Sequence, residues 1–400
     1  LAGHGLSELN DIKLTSFLAL CRDKKKAEDG TIPVFVYNPH PFEIEKTVEV
    51  EYQLPDQNKN AALFALPSVY KDGEKIPSQC EHELSNFNVD WRKHTVFDAK
   101  LAPGTMTRFD IKIDLIPTPS EREKLDGKVY TFKNDRMEGR INLKTGLIDK
   151  YEVDGRDYFT AGALRPIVVA DDENSWAFKE KAFRKVIGEF TLMPEKRGTA
   201  FSGITDGHTE KSVRIIEDGD IRTIVEAVFE YENSTMCRRY YLSKNSAELK
   251  ITDKVYWNEK MKMLKLSVPT TINGDFIGQT AYGSENLLNN GDEMVSDKWN
   301  IVKDDIKALS VINSGTHGSD YLGNELRITL LRAPGYSAGK SDFSVRKPYI
   351  MEQDRFSSFI DQGEHDFTFV FSAGEPNERL AFIEREACAF AEEPMALSFF

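Results

Sequence analysis

Strict two-residue alternation, cut at short intervals by turn dipeptides, constrains this chain more than any other feature. Val48, Val50, Tyr52 and Leu54 alternate with Thr47, Glu49, Glu51 and Gln53, the period of a strand buried on one face only. Phe109, Ile111, Ile113 and Leu115 repeat the pattern, and Leu249, Ile251, Val255 and Trp257 follow it less cleanly. Between such runs stand Asp72-Gly73, Asp154-Gly155, Asp218-Gly219, Asn273-Gly274 and Asn290-Gly291, the residue pairs that tolerate the left-handed backbone of hairpin turns. Lys144-Thr145-Gly146 joins Ile141-Asn142-Leu143 to Leu147-Ile148 as a further hairpin. Few helices interrupt these runs, so the fold class is all-β, built of antiparallel sandwiches.

Two segments carry helical signals. One runs from Thr15 to Glu28, with Phe17, Leu18 and Cys21 on one face and Gly30 as its stop. The other runs from Pro376 to Glu393, with Leu380, Ile383, Ala387, Cys388 and Ala391 as its stripe and Pro394 behind it. A chain of 400 residues exceeds one ordinary core, so two domains are expected. The stretch Pro117 to Lys124, two prolines and a charge run after a finished strand, is the best boundary. That gives a short helix plus small sandwich over 1–125 and a much longer unit over 126–400.

Charge and composition exclude several classes. A net charge of −13 argues against nucleic acid, whose binding rewards basic surfaces. Apolar runs such as Ile167-Val168-Val169-Ala170 are too short to span a bilayer. The four cysteines are widely scattered, which suits reduced thiols and a cytoplasmic location. Leu1 is not an initiator methionine, so a true N-terminus is expected to have been removed. The seven histidines show no His-x-Asp or His-x-x-x-His spacing, so no metal is expected to bind this chain by itself.

An ordered series of motifs then narrows the reading. Trp257-Asn258-Glu259-Lys260, Gln279 through Glu285, Gly291 through Val295, Asn313 through Gly318 and Leu330 through Pro334 follow one another over one stretch. Together they resemble the β-rich C-terminal half of glycoside hydrolase family 38, the retaining, zinc-dependent α-mannosidases. Val36 through Phe42 resembles the opening of that family's small β-domain. Asn134 through Ile148 resembles the opening of its large supersandwich, which is similar to galactose mutarotase. The resemblance implies an α-mannosidase parent acting on α-mannosides of glycans. It also implies that nucleophile and zinc belong to an N-terminal catalytic domain outside this sequence, so no catalytic residue is assigned here and the fragment alone is expected to be inactive. Oligomeric state stays open.

Two groups of residues are candidates for contacting sugar. Tyr282 and Glu285 sit among glycines at a strand end, where an aromatic ring either stacks on a pyranose or fills a sheet corner. Relatives carry an arginine shortly after the matching glycine, whereas this chain has Ser284, Glu285 and Asn286. Asp361, Gln362 and Glu364 surround Gly363, follow Asp354-Arg355-Phe356 and precede Phe367, Phe369 and Phe371. They form either a turn feeding a strand or a polar loop completing the sugar cleft. Glu293 is a further acidic candidate; in Asp90-Trp91-Arg92-Lys93 an exposed arginine stacked on the tryptophan would give a cation–π contact, and the motif's expected role is inter-domain packing. The alternative function is a stand-alone carbohydrate-binding or mutarotase-like module, for which His317 and Glu364 would be acid and base.

Overall fold

The computed structural model describes residues 2–83, 89–119, 124–171, 175–176, 180–204, 207–336, 356 and 358–399. Antiparallel pairing runs through both units, as the hairpin signals require. The chain divides into two compact units. One comprises Leu1–Arg122, Glu217–Arg222 and Cys388–Phe400; the other comprises Glu123–Ile216 and Thr223–Ala387. Of the expected linker, Ser120 to Glu123 lie outside the described residues.

In the first unit a five-stranded sheet runs in the order Met395–Ser398, Thr31–Tyr37, Met106–Pro117, Leu63–Lys71 and Glu74–Ile76. A three-stranded sheet, Ile44–Asn58, Asp90–Leu101 and Gln79–Glu81, completes it. The alternation read in Val48, Val50, Tyr52 and Leu54 is the inward row of Ile44–Asn58, and all four are buried in one core with Phe97, Phe109 and Ile111. Each such side chain contributes about 1.5–3 kcal/mol by leaving water. Leu115 departs from the pattern, 61% exposed near the end of its strand. The last residues join this unit because Met395–Ser398 pairs along Thr31–Tyr37, Val34 opposite Ser398 and Tyr37 opposite Met395. Asp72 and Gly73 both take positive φ, 53° and 87°, which is the twist a two-residue hairpin needs.

The second unit holds three sheets. A four-stranded meander contains Val129–Lys133, Met137–Asn142, Ile148–Val153 and Arg156–Asp157. A six-stranded sheet runs Val186–Glu189, Arg165–Ala170, Lys262–Pro269, Glu325–Arg332, Gly318–Leu322 and Met294–Val295. A ten-stranded sheet carries at its centre Ser234–Ser243, Leu249–Trp257, Gly363–Gly374, Ala308–Asn313, Trp299–Lys303 and Asp275–Thr280, with Gly283–Leu287 at one edge. One large core joins Leu264, Leu266 and Ile328 of the six-stranded sheet to Ile251, Trp257, Phe369 and Phe371 of the ten-stranded one. Gly146 has positive φ, and a Cβ there would lie 2.7 Å from Phe229 Cζ. The hairpin between Met137–Asn142 and Ile148–Val153 therefore needs glycine at that point on two counts.

The poorer alternation of Leu249–Trp257 has a physical cause. Its burial alternates regularly, but Asp253 occupies one inward position. Asp253 takes a bidentate bond from Arg238 on the neighbouring strand, Nε to Oδ1 and Nη2 to Oδ2 at 2.6 Å each, with both side chains fully buried. A charged pair thus fills sites that a hydrophobic count passes over.

The helical expectations need correction. The first helix spans Ala2–Cys21 rather than Thr15 to Glu28. No capping residue or apolar stripe marks its start, and the charged Arg22 to Lys26 segment leaves the helix well before Gly30. Of the three residues placed on its inner face only Phe17 is buried, stacked with Phe399 at 6.5 Å, while Leu18 is 46% exposed. The last helix spans Pro376–Ala391. Ile383 and Ala387 are buried in it as expected, but Leu380 is exposed. Arg379 turns inward instead, donating to Ser310 Oγ at 3.1 Å and pairing with Glu386. A helix of about two turns, Glu195–Phe201, carries no hydrophobic period by which the sequence could show it.

Candidate functional site

The two groups of candidate residues fall in different places of the ten-stranded sheet. Tyr282 is the tip of the tight turn between Asp275–Thr280 and Gly283–Leu287, with φ 69° and its ring fully exposed. Glu285 lies on the edge strand opposite Gly278 and is exposed. Asp361 and Gln362 precede Gly363–Gly374, which is separated from Asp275–Thr280 by Ala308–Asn313 and Trp299–Lys303. Three strand spacings of about 4.8 Å put the groups ~14 Å apart sideways alone. They do not make one site.

The motif around Tyr282 has a structural partner. Gln279 is buried, its Nε2 donating to both oxygens of Glu384 at 2.9 and 2.8 Å, its Oε1 accepting from the Lys298 N–H at 2.9 Å. Trp299 Nε1 donates to Glu384 Oε2 at 2.9 Å. These bonds fasten the Pro376–Ala391 helix to the sheet. Glu293 is likewise engaged, bonded to Lys265 Nζ and Thr329 Oγ1.

Around Asp361 four segments of the second unit converge. The Asp171 N–H donates to Met261 O at 3.1 Å, Met261 N–H to Ala333 O at 2.7 Å, and Ile360 N–H to Pro334 O at 3.2 Å. Gly335 forms an antiparallel bridge with Phe359. Asp361 takes φ 51°, a left-handed conformation that Asp tolerates, and its Oδ2 accepts the Arg332 N–H at 3.2 Å. Gln362 Nε2 donates to the carbonyl of Glu259 at 2.7 Å. Glu364 pairs with Lys254, whose hydrogen bond holds the carboxyl below its ordinary range. His365 Nε2 lies 3.0 Å from the Asp361 carbonyl. Both readings of this loop thus keep a foothold: it is a turn, and it leaves Asp361 exposed.

Sequence reasoning takes Arg332 as a strand-end anchor and Asp171 as the cap of a surface loop, and does not join them beneath this loop. Arg332 donates to Asp171 through Nε and Nη2, at 3.1 and 2.6 Å, and its guanidinium lies 4.8 Å from the centroid of the Phe183 ring. The Asp171 side chain is fully buried; the neighbouring Asp172 and Glu173 lie outside the described residues, as do Asp354 and Arg355. Glu259 is 3% exposed and accepts from Asn233 N–H, Ser234 Oγ and Lys262 Nζ at 3.0, 3.1 and 2.8 Å. The sequence signals were present, since Arg332 ends an apolar run and Glu259 follows Trp257. The partners, however, lie 161 and 26 residues away.

The acid and base proposed for a mutarotase do not share a partner. His317 Nδ1 lies 3.8 Å from Asp297, on the way into Gly318–Leu322 of the six-stranded sheet, whereas Glu364 is held by Lys254. Arg92 pairs with Glu51 at 3.1 Å rather than stacking on Trp91. The cation over a ring in that motif is Lys93, 3.7 Å from the Phe64 centroid. Trp91 Nε1 donates to Leu54 O at 2.8 Å, and this bond orients its ring. Among the described residues no group of three or more His, Cys, Asp or Glu side chains could hold a metal. No disulfide joins the four cysteines, and burial pushes the Cys80 and Cys237 thiols up to about 12. No helix among the described residues is long and apolar enough to cross a membrane.

The fold defines a class, an all-β chain of antiparallel sheets with few helices. Residues 177–340 match the family model of the glycosyl hydrolases family 38 C-terminal domain. A glycosyl hydrolase family 38 protein from Enterococcus faecalis has a similar fold, with TM-score 0.65 and 14% identity over 93% of this chain and 48% of that one. An α-mannosidase from Enterococcus faecalis V583 gives 0.64 and 14% over 100% of this chain and 49% of that one. This chain therefore spans about half the length of these solved structures. A galactose 1-epimerase from Lactobacillus acidophilus NCFM overlaps 63% of the chain at TM-score 0.35 and 11% identity, too low to carry weight. No curated protein matches the chain.

Proposed function

We propose that this chain is the C-terminal, non-catalytic part of a cytoplasmic, retaining α-mannosidase that removes terminal α-mannosides from glycans. The reading rests on the family 38 match over residues 177–340, together with a fold likeness that runs through the whole chain. In it, the Asp361 to Glu364 loop completes the sugar cleft, and zinc and nucleophile come from a preceding catalytic domain. The first helix supports a partner of that kind. Leu6, Leu9, Ile12, Leu14, Leu18 and Leu20 of Ala2–Cys21 are each 41–63% exposed. A 20-residue helix with so little of its apolar surface covered is marginal in water, so a packed neighbour would stabilise it.

The test is reconstitution. The coding segment upstream of Leu1, expressed in one chain with these 400 residues, should hydrolyse an aryl α-mannoside with retention of anomeric configuration and lose activity to a chelator. An inactive parent, or one releasing inverted product, refutes the reading. The second reading, a stand-alone sugar-binding or mutarotase-like module, predicts instead that the 400-residue chain alone accelerates aldose mutarotation. The separate partners of His317 and Glu364 speak against it.

A further inference from the structure

In the six-stranded sheet, Val186–Glu189 is an edge strand, with Val186 opposite Val169. Arg184 stands two residues before it, yet its Nη1 bonds Asp320 and its Nη2 lies 3.5 Å from Glu325. Those carboxylates belong to the fifth and fourth strands of the sheet order, about 19 and 14 Å from the edge strand at the usual spacing. Residues 181–185 therefore cross the sheet as a strap. They run over the face that carries Met263 and Lys265, since Leu264 and Leu266 between and beyond them point into the large core.

Backbone bonds pin the strap near both ends: the Glu293 N–H donates to Lys181 O at 2.7 Å and the Ala170 N–H to Lys185 O at 2.9 Å. Between them Arg184 acts as a latch. Its partner Asp320 is fully buried and accepts from the equally buried Lys265 Nζ at 2.6 Å, so removing the arginine would leave a buried charge short of a partner. Gly291, with φ 87°, makes room for the latch, because a Cβ there would lie 2.8 Å from Arg184 Cδ.

Phe183, beside the latch, packs with Ile167, Val169 and Met263 in a small buried cluster. Its ring also faces Arg332, whose Cζ lies 4.8 Å from the centroid. Arg332 is the last residue of its strand, where a ladder opens most readily, and its N–H is the donor to Asp361. A ring face attracts a guanidinium, which a leucine of similar bulk does not. We propose that the strap positions the Asp361 loop: Arg184 latches the strap to the Asp320–Lys265 pair, and Phe183 passes that hold to Arg332 and so to Asp361. Phe183 and Arg184 are positioning residues, acting through Arg332. Their use in catalysis rests on the glycan reading above, whereas their hold on the loop does not.

The experiment reads amide hydrogen exchange at Arg332 and over residues 359–363 in the 400-residue chain, then kcat and KM in the full-length parent. Phe183→Leu keeps the apolar filling and removes the ring face. Arg184→Lys keeps a charge for Asp320, and Arg184→Met removes it. Val169→Ala, on the sheet side of the same cluster, is the control for loosened packing. The strap predicts exchange at these amides faster by roughly two- to tenfold in Phe183→Leu and Arg184→Met, and nearer wild type in Arg184→Lys. Val169→Ala should lower the melting temperature without that local gain. Wild-type exchange in Phe183→Leu, or a rise no larger than Val169→Ala gives at equal loss of melting temperature, overturns the proposal; Phe183→Leu carries this test even where Arg184→Met does not fold. In the parent, the loosened loop should lower kcat several-fold with KM little changed. Faster exchange with wild-type kcat and KM supports the strap's hold on the loop and sinks the loop's part in the sugar site.

Discussion

The Asp361 loop offers a perturbation in which stability and catalysis separate. Asp361 holds two structural duties, a left-handed φ of 51° and an acceptor for the Arg332 N–H at 3.2 Å. Asn performs both, since it tolerates that backbone and its carbonyl oxygen accepts as well. Asp361→Asn should therefore leave urea unfolding within about 0.5 kcal/mol of wild type. Asp361→Ala loses both duties: ~1 kcal/mol or more for a Cβ without local hydrogen bonding in that region, and about 0.5–1.5 for the lost bond. An expected total of about 2 kcal/mol follows. Asp361→Gly, which removes the backbone cost, should fall between them.

Kinetics in the full-length parent then tests the functional duty. If the carboxylate accepts a sugar hydroxyl in the transition state, Asp361→Asn loses about 1–3 kcal/mol of binding, roughly five- to 150-fold in kcat/KM, despite wild-type melting. Gln362→Ala, which gives up the 2.7 Å bond to Glu259 O, should cost about 1 kcal/mol of stability and a rate loss in the same range. The phenylalanines behind the loop are untouched, so the sheet stays intact. Wild-type kcat/KM in both variants, with melting as calculated, would return these residues to a turn and nothing more.

Three further outcomes are expected. The isolated 400-residue chain should show no turnover of an aryl α-mannoside with or without added zinc, and chelator-sensitive turnover by it would refute the division of labour proposed above. In the first unit, burial pulls the His94 pKa down but hydrogen bonding to Glu49, and the charges of Glu49 and Glu81, outweigh it and leave the imidazole above its ordinary value; the pair thus stabilises fully below the unfolded pKa of about 6.5 and loses that contribution as pH rises through the folded one. Stability measured from pH 6 upward should fall less steeply in His94→Gln than in wild type, and parallel profiles would refute this. Asp253→Asn or Arg238→Met should each destabilise the second unit by about 3–5 kcal/mol, whereas the double Arg238→Met/Asp253→Leu variant should recover much of the loss; additive losses in urea melts would show that the two do not act as a pair.

What the sequence made legible follows the physics of each feature. Hydrophobic alternation in Ile44–Asn58 and the Asp-Gly and Gly146 turns are local, so strands and hairpins could be read directly. The Arg238–Asp253 pair defeated the same reading because its two members look like solvent-facing charges until register sets them opposite each other. The first helix was misplaced for the converse reason. Its exposed leucines supply no inner stripe, and its start carries no cap. The candidate site was legible only in pieces: Asp361, Gln362, Arg332 and Glu259 each stood out or lay in a motif, but the bonds joining them cross a hundred residues or so.

The arrangement of those pieces bears on how such a loop can serve a reaction whose chemistry it lacks. A group that tightens a transition state must be held where it acts before substrate arrives, since ordering it afterwards consumes the binding it supplies. Asp361 meets that condition through covalent neighbours and through Arg332, whose guanidinium is itself fixed by a fully buried Asp171 and the Phe183 ring. Gln362 is pinned to the backbone of Glu259, an acid that is buried and already answered by Lys262 and two hydrogen-bond donors from Asn233 and Ser234. The buried charges thus hold the loop, and the carboxylate of Asp361 faces water. Tyr282 and Glu285 sit instead at a sheet edge, exposed in the turn and strand that carry them. Of the five candidates, Asp361 and Gln362 are therefore the ones whose surroundings suit a positioned role, and Asp361→Asn is the substitution that can show it without disturbing the fold.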